Sequence, residues 1–255
     1  MSGTIPEALR AFLQEHPKLA LAFSGGADSA YLLYAASACG CDVVALYAVS
    51  PFQPDFERED ARRMAGELGA RLIEIKLNTL SEPAIRANPP DRCYHCKRAI
   101  FTALMARARA EGYGTIIDGT NASDDAGDRP GMRALAELQV LSPLRLCGVT
   151  KAMVREYSRR AGLWTWDKPA YACLATRVPA GTPLDADTLG RVEAAEAALF
   201  ALGYSDLRVR VFHGAARIQL PAAQLERAAR ERGAIRTALK PCFDIILLDT
   251  EDRGS

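Results

Sequence analysis

Residues 19–29, LALAFSGGADS, decide the fold. Leu19 to Phe23 is a continuous apolar run, the pattern of a strand covered on both faces. Ser24-Gly25-Gly26-Ala27-Asp28-Ser29 follows, and an apolar helix over about Ala27–Ala38 comes next. Two adjacent glycines let the backbone come close to a phosphate. The loop N–H groups and the positive end of the following helix can then hold an anion, with Ser24 and Ser29 adding hydroxyl donors. The Lys-Ser/Thr pair of a Walker A loop is absent, so a clamp on a γ-phosphate is not indicated. A plain helix cap is the alternative, but the whole string after a first buried strand favours nucleotide binding.

Outward from this loop, strands alternate with helices. Asp42–Val49 and Arg71–Leu77 read as strands, Phe56–Leu68 as an amphipathic helix, Pro83–Arg92 as a loop, Lys97–Ala110 as a helix and Thr115–Asp118 as a short strand. Thr150–Ala161 reads as a helix with Thr150 as N-cap. This alternation predicts an α/β fold built on a doubly wound parallel sheet. Ligands of such sheets sit at the carboxyl ends of strands, which brings Val49 towards the same ligand. After Arg177 the pattern changes to helix, two strands, helix and strand, with helices expected over Asp185–Leu202 and Ala222–Arg232. The expected organisation is a domain over 1–178 and a second, smaller α+β domain over 179–255.

The bulk properties agree with a globular enzyme-sized chain. It has 255 residues, 49% apolar and 25% charged, with a net charge of +1. That total does not suggest a polyanion partner such as nucleic acid. No run of eighteen apolar residues marks a membrane span, and the first residues are too polar for a signal peptide, so the cytoplasm is the expected location. Seven cysteines in such a chain point away from a disulfide framework, and those that cluster point to metal binding or catalysis.

Cys93 and Cys96 form Cys-Tyr-His-Cys between Pro89-Pro90 and a helix. A C-x-x-C pair can give both thiolates to one metal centre, and the neighbouring Arg92, Lys97 and Arg98 would favour thiolates. Alone, the pair could equally be redox-active, half a zinc site or two partly buried thiols. Cys173, in the loop Pro169–Arg177, extends it: three cysteines can hold three irons of a 4Fe-4S cluster and leave the fourth iron open. Zinc with His95 as the fourth ligand competes. Cys39, Cys41, Cys147 and Cys242 lie in apolar surroundings and read as small buried hydrophobes. The loop 118–125, with Gly119, Asn121 and Asp124, and its continuation through Asp128 to Arg133, is rich in Gly and Asp at a strand end and is expected to face the nucleotide.

SGGADS resembles the SGGxDS motif of the PP-loop ATP pyrophosphatases, which include NAD and GMP synthetases, tRNA thiolases and LarE-type sulfur transferases. By that resemblance ATP is cleaved to AMP and pyrophosphate, an oxygen of the substrate is adenylated, and Asp28 helps to hold Mg2+ and pyrophosphate. DGTNASDDAGDRPGMRA, SPLRLCGVTKAMVREYSRRAGLWTWDKPAYACLATR and VRVFHGAARIQL narrow the resemblance to the LarE type over nearly the whole chain. This implies a transferase that converts the carboxylates of pyridinium-3,5-biscarboxylic acid mononucleotide to thiocarboxylates, for the nickel-pincer nucleotide of lactate racemase. Cys173 occupies the sulfur-bearing position. Some members sacrifice that cysteine and retain dehydroalanine; DRCYHCK places this chain with the cluster-dependent members, although His95 stands where an aromatic is common.

In the second domain Glu193, Glu196, Arg208 and Arg210 are candidate site residues. The resemblance places Glu196 and Arg210, as catalytic residues with Cys173 and Asp28, near a phosphate beside the sulfur cysteine. The plain alternative is a solvated helix face for the two glutamates, three residues apart. Arg177, four residues past Cys173, is the anion ligand favoured by proximity. The expected partners are a small nucleotide substrate, sulfide or another sulfur donor, and further copies of the chain in a homo-oligomer. Two rival functions are a PP-loop tRNA thiolase, which would need a basic surface, and a non-catalytic nucleotide-binding regulator, which would release no pyrophosphate.

Overall fold

The computed structural model describes residues 4–124 and 130–251. Asp125, Asp128 and Arg129 of the expected nucleotide-facing loop lie outside the described residues. In chain order the elements are α1 (Glu7–Glu15), β1 (Lys18–Ala22), α2 (Ala27–Ala38), β2 (Asp42–Val49), α3 (Asp55–Glu67), β3 (Arg71–Lys76), α4 (Pro83–Arg86), α5 (Arg92–Ala110), β4 (Ile116–Ile117), α6 (Pro130–Glu137), α7 (Pro143–Leu146) and α8 (Lys151–Arg160). Then come α9 (Ala186–Ala201), β5 (Arg208–Phe212), β6 (Ala215–Gln219), α10 (Ala222–Arg230), α11 (Arg232–Leu239) and β7 (Ile246–Leu248). The chain divides into two compact units, residues 1–79 with 91–170, and residues 80–90 with 171–255.

The first unit holds a parallel four-stranded sheet in the order β3-β2-β1-β4. Its strands face apolar cover on both sides, which is why LALAF is unbroken. Leu19, Leu21, Ala45 and Tyr47 pack with Leu9, Leu13, Leu32 and Met64 on one face. Ala20, Val44, Leu46 and Ile73 pack with Phe101, Leu104 and Ala108 of α5 on the other. Each such buried Leu or Phe contributes roughly 1.5–3 kcal/mol relative to exposure. Strand β1 runs beside β2 on one side and β4 on the other. The order of connection therefore reverses between β1 and β4, and the crevice outside their carboxyl ends is the place for a ligand in such a sheet.

The second unit carries the sheet β5-β6-β7, with β5 and β6 antiparallel and β7 parallel to β6. The β5–β6 turn is His213-Gly214, with φ of 49° and 81°. Two consecutive left-handed residues suit the twist of a tight hairpin. Asp185 caps α9 by accepting from Thr188 N at 2.7 Å.

Three expectations change. Helix α5 starts at Arg92, so the C-x-x-C lies inside its first turns and not ahead of it. Polarity alone does not stop a helix, and no Gly or Pro follows Pro90 until the helix has ended. The expected loop 83–92 also contains α4, with Pro83 at its start, where a missing N–H costs nothing. Finally, α11 continues past the expected end of the Ala222 helix and buries Ile235 and Leu239, one turn apart. Gly233 lies within it, and burial of that stripe outweighs the glycine's helix penalty of about 1 kcal/mol.

Candidate functional site

The loop Ser24–Ser29 leaves the end of β1 and opens α2. Gly25 has φ of 71°, and a Cβ there would lie 3.0 Å from Cβ of Ala61 on α3. Both the left-handed backbone and the close approach require glycine at that position. The two serine hydroxyls lie 3.0 Å apart, and Ser29 Oγ donates to the Gly26 carbonyl at 3.2 Å. Ser24 Oγ accepts from Gly26 N at 3.3 Å. The loop is thus closed on itself at the N-terminus of a twelve-residue helix, a geometry that favours an anion.

Asp28 is the meeting point of three elements. Lys151 at the start of α8 donates to its Oδ2 at 2.5 Å, and Asn121 Nδ2 donates to Oδ1 at 3.2 Å. Asn121 is buried, its backbone N–H donates to Asp124 at 2.9 Å, and its side-chain oxygen accepts from Ser123 N at 2.8 Å. Asp118, just past β4, accepts from Thr120 and from Ser142 and fixes the start of this loop. Gly119 fits because a Cβ would stand 2.9 Å from Ser29 N. The loop after β4 therefore lies against the phosphate-type loop after β1, as a site at the reversal point requires. Val49 ends β2, and its carbonyl is taken by Leu77 N at 2.8 Å.

A cleft of about 370 Å³ opens beside this loop, lined by Cys93, Lys97, Thr120, Asp124, Gly131 and Met132. Cys93 is exposed, and Arg92 Nη2 reaches its sulfur at 3.8 Å. Cys93 and Cys96 stand three residues apart in α5, on one face. His95 projects from another face and pairs with Asp91 at 3.4 Å, which disfavours it as a zinc ligand alongside the two thiols. Among the described residues no three His, Cys, Asp or Glu side chains are gathered to hold a metal ion. Burial pushes the thiols of Cys39, Cys41 and Cys147 up, and all three pack against the main core. Sequence reasoning passed over Lys151 and Lys168. The polar partners of both are distant in sequence, so no local pattern marked them.

The second unit positions Cys173, the residue before a short 3-10 turn over Leu174–Arg177. Arg177 has a fully buried side chain. Its Nε and Nη2 donate to Glu196 at 2.9 and 3.0 Å, and its Nη1 donates to the carbonyls of Ala172 at 2.6 Å and Cys173 at 3.3 Å. Arg177, expected as an anion ligand by its proximity to Cys173, here braces the backbone around Cys173. Glu196 likewise is no solvated helix residue. It is 1% exposed and also accepts from Val209 N at 2.8 Å and from the Tyr171 hydroxyl. Burial, with the negative Glu196 beside it, pushes the Tyr171 phenol well up. The guanidiniums of Arg177 and Arg208 both lie against the Tyr171 ring, at centroid distances of 4.5 and 5.0 Å. Arg210 joins β5 to the same turn through the Thr176 carbonyl at 2.8 Å. Glu193, one turn before Glu196, is half-buried.

No family model matches the chain. Among individual proteins, it is 38% identical over 226 residues to an uncharacterized protein of Synechocystis, covering 88% of this chain and 84% of that one. It is 36% identical over 225 residues to the pyridinium-3,5-bisthiocarboxylic acid mononucleotide synthase of Lactiplantibacillus plantarum, covering 88% of this chain and 82% of that one. A probable tRNA sulfurtransferase of Methanothermobacter thermautotrophicus is 28% identical, but over 58% of this chain and 41% of its own length. Identity of this extent to the synthase, on a parallel sheet carrying SGGADS after its first strand, makes the chain a member of the LarE-type sulfur transferase family of PP-loop proteins.

Proposed function

We propose that this protein uses ATP to adenylate a carboxylate of pyridinium-3,5-biscarboxylic acid mononucleotide and then replaces the activated oxygen with sulfur, in the assembly of a nickel-pincer nucleotide. The observation that carries the reading is the closed Ser24–Ser29 loop, with Asp28 held between Lys151 and Asn121, in a chain 36% identical to a synthase of the bisthiocarboxylic acid mononucleotide. Loop N–H groups and Lys151 would hold the pyrophosphate end of ATP, leaving the α-phosphorus to the substrate carboxylate. An acyl oxygen is a poor leaving group, and AMP is a good one. Asp28 fits Mg2+, which takes one or two carboxylates together with phosphate oxygens. That ion would neutralise charge on the departing pyrophosphate.

Sulfur enters at the centre marked by Cys173, whose backbone is held by Arg177 and, through Arg177, by Glu196, with Arg208 and Arg210 of the same unit to meet a phosphate of the substrate. Three thiolates, from Cys93, Cys96 and Cys173, are the donor set of a 4Fe-4S cluster with one open iron. Cys93 and Cys96, three residues apart on one face of α5, can give two of these thiolates to one centre. The cluster rests on thiolate chemistry alone, and iron and acid-labile sulfide in anaerobically purified protein test it. Sulfide as donor and a homo-oligomeric state belong to the same proposal, the second checked by light scattering. No described helix is long and apolar enough to cross a membrane.

The test incubates the protein anaerobically with ATP, Mg2+, substrate and sulfide. AMP, pyrophosphate and a thiocarboxylate are expected, and Asp28→Ala should stop all three while remaining folded. ADP and orthophosphate as first products would overturn the assignment. Quantitative loss of H2S from the chain, mapped to Cys173, would make the cysteine itself the sulfur source and overturn the cluster.

A further inference from the structure

Lys168 lies next to the phosphate loop, half-buried, with a side chain 11% exposed. Its ammonium pairs with Asp60 at 2.7 Å and Glu57 at 3.8 Å on α3, and donates to the Gly25 carbonyl at 3.3 Å. The rings of Phe56 and Trp164 flank it at 6.0 and 5.9 Å. A half-buried lysine with two carboxylates could be a packing device alone. The third contact gives it a further consequence. The Gly25–Gly26 peptide is trans, as no cis bond occurs among the described residues, so its C=O and N–H point in opposite directions. Lys168 holds the carbonyl on the α3 side. The N–H of Gly26 is thereby turned the other way, into the loop, where it makes only a long bond of 3.3 Å to Ser24 Oγ. A phosphate oxygen can displace such a bond.

Glycine makes this control necessary. A flip of the Gly25–Gly26 peptide rotates ψ of Gly25 and φ of Gly26, and two successive glycines allow both at little cost, so this peptide can turn over. A flip would present a carbonyl, not a donor, to the bound anion. We infer that Lys168 is a positioning residue that locks the Gly25–Gly26 peptide with its N–H towards pyrophosphate, while Asp60 and Glu57 fix the lysine. This rests on the reading that Ser24–Ser29 holds the pyrophosphate end of ATP, and it adds the side chain that presets the loop. A donor oriented in advance costs no reorganisation when the anion arrives.

Inorganic pyrophosphate is the probe, read by calorimetry and by the Gly26 amide resonance of the full chain. The wild type should bind, with a clear Gly26 shift. Lys168→Met should weaken binding at least tenfold and lose that shift, while Lys168→Arg, which keeps a donor and the charge, should recover most of both. If wild-type protein does not bind pyrophosphate, the reading of the loop fails. If it binds and folded Lys168→Met binds within twofold with the same Gly26 shift, only the lock fails. Where Lys168→Met does not fold, the ligand-free wild type decides by relaxation dispersion. A single exchange-free Gly26 signal supports the lock, and a populated second peptide state overturns it.

Discussion

Glu196→Leu tests whether the buried pair with Arg177 organises the second unit. Glu196 is 1% exposed and accepts from Arg177 twice, from Val209 N and from Tyr171. Its removal leaves the guanidinium of Arg177 buried without its counter-charge, a loss of about 3–5 kcal/mol. It also strands the Val209 N–H, a further cost of about 1–3 kcal/mol. These overlap, so a loss of at least about 3 kcal/mol is expected. Arg177→Met should cost a similar amount. The double variant should cost far less than the sum, because apolar replacement of both members of a buried pair is often close to neutral. Urea unfolding followed by circular dichroism measures all three, with hydrogen exchange at Val209 as a local probe. The double variant should nevertheless stay impaired in sulfur transfer, since a methionine side chain has no donor for the Ala172 and Cys173 carbonyls. Singles below about 1 kcal/mol, or effects that add to within about 0.5 kcal/mol, would refute the organising role.

Other expectations are simpler. Gly119→Ala places a Cβ 2.9 Å from Ser29 N, so ATP turnover should fall at least tenfold, with melting changed by only a few degrees; unchanged turnover would mean the loop can move aside. Asp185→Ala removes the cap on α9 and should cost about 1 kcal/mol in urea unfolding. Glu74 is held down to about 2 by hydrogen bonds from Arg58 and Arg62. A carboxylate with a depressed folded pKa stabilises fully above its unfolded value, near 4.5, and that stability is lost as the pH falls towards 2. The urea midpoints of wild type and Glu74→Gln should therefore differ most at neutral pH and converge on acidification.

The parallel sheet was legible because strands covered on both faces carry unbroken apolar runs, and LALAF and DVVALYAV are such runs. The start of α5 was not, since a polar DRCYHC reads as a loop until packing of Phe101 and Leu104 recruits it into the helix. Helix α11 was hidden for a similar reason, as the residues that it buries are Ile235 and Leu239.

The first unit's sheet, the phosphate-type loop and its glycines could thus be read without coordinates, because each is written in consecutive residues. Which charges meet could be read only from the folded chain. Lys151 on Asp28 is 123 residues away and Lys168 on Gly25 is 143. Arg177, expected as an anion ligand, and Glu196, for which a solvated helix face was the plain alternative, are buried partners. Side-chain charge is visible in a sequence, but whether water or a counter-charge surrounds it is set by the packing of distant elements, and that environment determines what the charge does.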